Sequence, residues 1–161
     1  MQPWTSNIRV QRQPFDVGEE IRTLTEGRVD IGASVAFSGY CRDEGGTLAA
    51  LELEHYPGMA EGELSRIAAG ATQRWPLLGL TIVHRFGRIR PGEPIVLVIA
   101  ASAHRAPAFE AASFLMDYLK TRAPFWKKED RSDGTEGDWI AAKGGDDEAA
   151  ERWSSPAVPA A

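Results

Sequence analysis

Apolar positions along the chain follow two rhythms, and the order in which these rhythms succeed one another predicts the architecture. Asp16 and Glu19 have the spacing of a capping box, with Val17, Ile21 and Leu24 recurring behind them at helical intervals. Ala33, Val35 and Phe37 then alternate with Ser34, Ala36 and Ser38, a period of two that predicts a strand. Residues 43–46 (DEGG) are turn chemistry, and residues 48–56 return as a second strand. After Pro57-Gly58, one face of a helix carries Leu64, Ile67, Ala68, Ala71 and Trp75. Residues 80–86 alternate again, Pro91-Gly92 turns the chain, and residues 95–101 form an unbroken apolar run suited to a strand buried on both faces.

Pro107 fits the first position of a further helix, which carries Ala108, Ala111, Ala112, Leu115 and Leu119 on one side. That helix stops before Pro124, because the residue preceding a proline avoids helical geometry. Residues 126–131 and 139–142 read as a hairpin around the Gly- and Asp-rich stretch 132–138, and residues 146–153 as a last short helix. The final stretch, 154–161 (SSPAVPAA), reads as a disordered tail. Hairpins and segregated helices without an internal repeat predict one α+β domain over residues 1–153.

Composition narrows the function. With 161 residues, 43% hydrophobic and 25% charged, the chain has the make-up of an ordinary globular domain. A net charge of −5 argues against a general nucleic-acid binder, whose phosphate contacts need a basic face, but leaves room for a local basic pocket holding one small anion. The longest apolar run is too short to span a bilayer, and MQPWTSNIRVQRQ lacks the apolar core of a signal peptide, so a cytoplasmic protein is expected. Cys41 is the only cysteine, which excludes an intramolecular disulfide and a cysteine-based zinc site. Beside Arg42 its thiol has two readings, a low-pKa nucleophile or a small buried hydrophobe, and the second is the commoner state of a free cysteine. His55, His84 and His104 share no metal-ligand spacing, and no GxGxxG or P-loop occurs, so neither a metal nor a cofactor is expected.

Candidate chemistry concentrates in residues 116–129, MDYLKTRAPFWKKE. Lys120 closes a helix, where a cation is favoured by the helix dipole in any case; Lys127 and Lys128 follow an aromatic pair. Upstream, His104 and Arg105 sit between the buried run and a helix N-terminus. Backbone N–H groups there attract anions and a guanidinium adds a bidentate clamp, although two surface residues closing a helix entry account for the pair equally well. Arg42 taken alone is an ordinary solvated arginine.

Together with GASVAFSGYCR (residues 32–42) and LEHYPGM (residues 53–59), these segments resemble the large, catalytic subunit of molybdopterin synthase, from about residue 30 to residue 153. The resemblance implies an α/β-hammerhead-type fold with an additional antiparallel β subdomain. It also implies an activity: transfer of sulfur from the C-terminal thiocarboxylate of a small ubiquitin-like carrier to cyclic pyranopterin monophosphate, forming the dithiolene of molybdopterin. On this resemblance Lys120 and Lys127 are the catalytic amines, with Lys128 and Arg105 expected close enough to lower an amine pKa. Arg42, His104 and Arg105 bind the pterin phosphate, and Lys128 and Glu129 orient groups around it. Tyr40 and Cys41 also line the pocket, although the family carries a basic and then an aliphatic residue there. Lys143, where the family often has arginine, adds a further basic group. Phe37 and Met116 either wall the pocket or belong to the plain core, the reading favoured by their apolar pattern.

The sequence closes on VPAA (residues 158–161) rather than Gly-Gly, so the sulfur carrier is expected to be a separate small subunit. His104-Arg105 and Lys120 bracket a helix of about 15 residues, which separates their backbones by roughly 22 Å. A symmetric homodimer, within a heterotetramer with two carriers, would bring these groups together across its interface. Two rival readings are a non-catalytic module that binds a ubiquitin-like tail, and an RNA-binding domain using Trp126, Lys127 and Lys128. The first leaves a phosphate clamp unexplained, and the second conflicts with the acidic balance.

Overall fold

The computed structural model describes residues 4–122, 124–140 and 144–154. The chain runs β1 (Thr5–Gln11), α1 (Val17–Thr25), β2 (Ala33–Tyr40), β3 (Leu48–His55), α2 (Met59–Arg74), β4 (Leu77–Arg85), β5 (Gly87–Ile89), β6 (Pro94–Ser102), α3 (Arg105–Arg122), β7 (Phe125–Arg131), β8 (Glu136–Ile140) and α4 (Gly144–Glu151). The strands form two four-stranded sheets in the orders β1-β4-β6-β2 and β5-β3-β7-β8. Among the described residues, only β1 and β4 pair in parallel; the other pairings are antiparallel. This mixture is an α+β architecture.

The first sheet is covered on both faces, which explains the unbroken apolar run of β6. Leu80 and Ile82 of β4 and Val96, Val98 and Ala100 of β6 face α2 and α3, where Leu64, Ile67, Ala71, Phe114, Leu115 and Leu119 complete the main core. The intervening residues Val83, Leu97, Ile99 and Ala101 face the other way and pack under Leu24 of α1. Alternation with a period of two therefore serves two cores at once. Burial of Phe114, Leu115 and Leu119 stabilises α3 by roughly 2 kcal/mol per side chain. These contacts span its C-terminal half, and Ala108, Ala111 and Ala112 hold its N-terminal half equally closely. A helix pinned along its length cannot swing either end independently. A smaller cluster of Cys41, Leu53 and Ile89, backed by Leu51, Phe86 and Ile95, lies where the second sheet meets the first.

Several boundaries depart from expectation. The strand β1 was not foreseen; Ile8 and Val10 alternate within it, but its remaining positions are polar and its partner lies some seventy residues away. Strand β5, only three residues long, pairs with Leu51–Leu53 through register rather than composition. Helix α3 begins at Arg105, two residues before Pro107, and β8 begins at Glu136, in the stretch read as the hairpin turn. Asp16 caps α1 by accepting a hydrogen bond from Glu19 N at 2.8 Å. Phe37, whose pattern favoured the core, is 42% exposed. The predicted C-terminal tail lies, from residue 155 onward, outside the described residues.

Candidate active site

Strand geometry decides which basic residues meet. On β7, Phe125, Lys127, Glu129 and Arg131 share one face and Trp126, Lys128 and Asp130 the other. The first face, together with the last turn of α3 and the loop after β2, encloses a cleft of about 440 Å³ lined by Tyr40, Arg42, Asp43, Glu44, Lys120, Lys127, Glu129 and Arg131. Its floor is apolar, from Leu48, Leu51 and Ile95. Four cations and three carboxylates thus surround one concavity in a protein whose net charge is −5. This is the local basic pocket that the overall charge had left open.

The loop carrying Arg42 is shaped by Asp43, whose Oδ1 accepts hydrogen bonds from Thr47 N and Leu48 N, both at 3.1 Å. This closes the DEGG turn and presents Arg42 at the rim, where it is well exposed and ion-paired with Glu44. An exposed pair of this kind contributes little to stability, so Arg42 is available to an incoming anion at small cost. Lys120 is exposed and Lys127 half-buried.

A smaller annex of about 110 Å³ opens beside the cleft and shares Tyr40, Ile95 and Lys120 with it. Phe37, Met116, Leu119 and Val96 make its walls apolar, and His84 is its other polar residue besides Tyr40 and Lys120. His84 is stacked on Phe125 with ring centroids 3.7 Å apart and planes 12° from parallel. Its Nδ1 lies 2.8 Å from the carbonyl oxygen of Arg85. Burial, above all, and the neighbouring charges of Lys120 and His55 push this imidazole down to about 4, against the bond to Arg85 that favours its charged form.

The remaining expected residues lie elsewhere. Cys41 is 2% exposed, its Sγ 3.7 Å from the carbonyl of Ile89, and burial pushes its thiol up; it supports the cleft from beneath as a small hydrophobe. Lys128, on the opposite face of β7, is ion-paired with Glu136 at 2.6 Å and lies over the Trp139 ring at 5.6 Å. The hydrogen bond to Glu136 raises its pKa, which holds it as a cation. His104 and Arg105 are exposed at the opposite end of α3 from Lys120, and Lys143 lies outside the described residues. The two cations expected to flank the catalytic amines, Lys128 and Arg105, are therefore both absent from this chain's cleft. Arg131, Asp43 and His84 were missed by sequence reasoning. The parity of β7 was the legible signal for Arg131, since it stands four residues from Lys127 on the same face.

Comparison with known proteins identifies the family. The sequence matches the family described as MoaE protein over residues 10–122. The chain belongs to that family. It is 70% identical over 148 residues to the "Molybdopterin synthase catalytic subunit" of Mesorhizobium japonicum, covering 92% of this chain and 93% of the relative. Among solved structures, the "Molybdopterin biosynthesis MoaE protein from Burkholderia ambifaria MC40-6" superposes with a TM-score of 0.81 at 47% identity, over 94% of this chain and 99% of that one. A "Protein-protein complex of subunit 1 and 2 of Molybdopterin-converting factor from Helicobacter pylori 26695" shares the fold with a TM-score of 0.69 at 20% identity, over 85% and 90% of the two chains. No helix among the described residues is long and apolar enough to cross a membrane.

Proposed function

We propose that this protein is the catalytic subunit of a molybdopterin synthase, a cytoplasmic sulfurtransferase acting on cyclic pyranopterin monophosphate with a thiocarboxylated ubiquitin-like small subunit. One observation carries the reading: in a member of this family, Lys120 and Lys127 arrive from different elements, α3 and β7, at one cleft whose rim holds Arg42 and Arg131. The carrier's sulfur attacks a side-chain carbon of the pterin, and the acyl group left on that sulfur is released to water as the carrier's carboxylate. Charge grows on the acyl oxygen and on the opening phosphate. Lys120 and Lys127 neutralise that charge and supply protons to the leaving oxygens. Arg42 holds the phosphate with its guanidinium fork, Glu129 orients the amine beside it on β7, and Tyr40 stands between cleft and annex as a wall for the pterin or the tail.

His104 and Arg105 join the site from a second copy of the chain in a symmetric dimer, since α3 holds them about 22 Å from Lys120 within one chain. Cys41 acts through packing, and Lys128 through its pairing with Glu136, rather than by touching substrate. In finer fold terms, the chain is one hammerhead-type domain over residues 1–153, and the sheet containing β3, β7 and β8 is its antiparallel subdomain. Incubation with the pterin precursor and a thiocarboxylated small subunit tests the whole reading. Dithiolene product is expected, and its absence with both partners intact refutes it.

A further inference from the structure

The annex contains one polar group that the sulfur-transfer reading does not use. Leu80 and Ile82 of β4 face α3, and the two-residue period of the strand carries His84 onto the same side, beneath the last turn that bears Lys120. The tautomer of His84 follows from its one hydrogen bond. A carbonyl oxygen only accepts, so the Nδ1 that lies 2.8 Å from Arg85 O carries the proton, and Nε2 is left with a bare lone pair. Stacking on Phe125 at 3.7 Å fixes the ring plane. Nε2 has no hydrogen-bond partner among the described residues, yet no side-chain nitrogen or oxygen sealed from solvent there lacks one. Nε2 is therefore accessible, and the cavity that His84 lines is the annex, which Lys120 lines with it.

We propose that His84 is a positioning residue: its Nε2 accepts a hydrogen bond from the Lys120 ammonium when ligands fill the cleft, and so aims that amine at the reacting atoms. The imidazole suits this task better than a carboxylate would, because it orients the cation without neutralising it. Phe125 opens the strand that carries Lys127, so the same stack ties the placement of the two amines together. The inference rests on the catalytic role assigned to Lys120, and the experiment separates the two.

Three measurements test it on the full protein with its carrier. In the native chain, long-range ¹H–¹⁵N spectra should show His84 protonated at Nδ1, with Nε2 bare; the opposite tautomer overturns the proposal. His84→Phe keeps a ring on Phe125 but has no acceptor, and kcat should fall roughly ten- to a hundredfold while KM for the carrier stays within about twofold. His84→Gln restores an acceptor oxygen and should recover most of that loss, which a purely structural role of the ring would not allow. Wild-type turnover in His84→Phe, or equal loss in both variants, overturns the positioning role. Normal turnover in Lys120→Ala instead overturns the assignment of Lys120, whatever His84 does.

Discussion

Folding stability should depend on pH through His84 in a window that can be stated in advance. The unfolded chain takes up a proton on this imidazole near pH 6.5, whereas the folded chain refuses it until about pH 4. Above pH 6.5 the ring is neutral in both states and the site makes no pH-dependent contribution. Between 6.5 and 4 the unfolded state binds the extra proton, so stability falls as the solution is acidified. Below 4 both states are charged and the loss levels off. Each pH unit of difference is worth about 1.4 kcal/mol, so the full window costs about 3 kcal/mol, a large share of the stability of a domain of this size. Urea titrations of the wild type and of His84→Phe at half-unit steps from pH 7.5 to 4.5 isolate the effect, because the carboxylates titrate alike in both. The stability difference between the two proteins should shift in favour of the variant as the pH drops, with a slope approaching 1.4 kcal/mol per unit. A difference that stays flat across this range would show that the ring protonates normally, and the burial argument would be wrong.

Lys120→Ala and Lys127→Ala should each lower turnover by roughly a hundredfold or more with an unchanged melting temperature, since neither side chain lies in the core; near-normal rates in both single variants refute the assignment. Mixing a His104→Ala/Arg105→Ala chain with a Lys120→Ala chain should restore about one working site per mixed dimer, because one of its two pockets then collects every intact group. If mixed dimers form and remain inactive, the site lies within one chain. Removing the carrier's last glycines should abolish product while leaving docking measurable, and unimpaired turnover with a tail-less carrier contradicts the mechanism. Gly32→Ala should destabilise the protein by roughly 2–3 kcal/mol, because its Cβ would stand 2.1 Å from the carbonyl oxygen of Ala103. A fall of about 5–10 °C in Tm is the readout.

What could be read from the sequence was what local periodicity controls. Alternation over residues 80–86 and the apolar run 95–101 located the two central strands: the run 95–101 holds no polar residue, and β4 keeps its pattern around Thr81, His84 and Arg85. Pro57-Gly58 and Pro124 marked the ends of helices for backbone reasons that hold regardless of context. Edge strands were less legible. Strand β1 is half-buried and β8 mostly exposed, and both carry polar residues, so hydrogen bonding to a neighbouring strand, rather than their own composition, makes them strands. At the candidate site, motif resemblance identified Arg42, Lys120 and Lys127, which the fold gathers, but side-chain direction was unread. Lys127 and Lys128 are adjacent in sequence and face opposite sides of one sheet. Cys41 is one residue from Arg42 and points into the interior while Arg42 points out. His84 looked like any strand histidine until α3 was seen to pass over it.

Helix α3 also governs how the molecule can change length. A residue inserted between Arg105 and Lys120 would advance everything beyond it by about 1.5 Å and rotate it by about 100°. That rotation would turn Lys120 away from β7 and carry Leu115 and Leu119 off the sheet, so catalysis and folding would fail in one event. The exposed turn between β7 and β8, closed by the Arg131–Thr135 backbone bond at 2.9 Å, imposes no such phase relation. Insertions and deletions should accumulate there during divergence, while the interval from Arg105 to Lys120 stays fixed in number even where its individual residues drift.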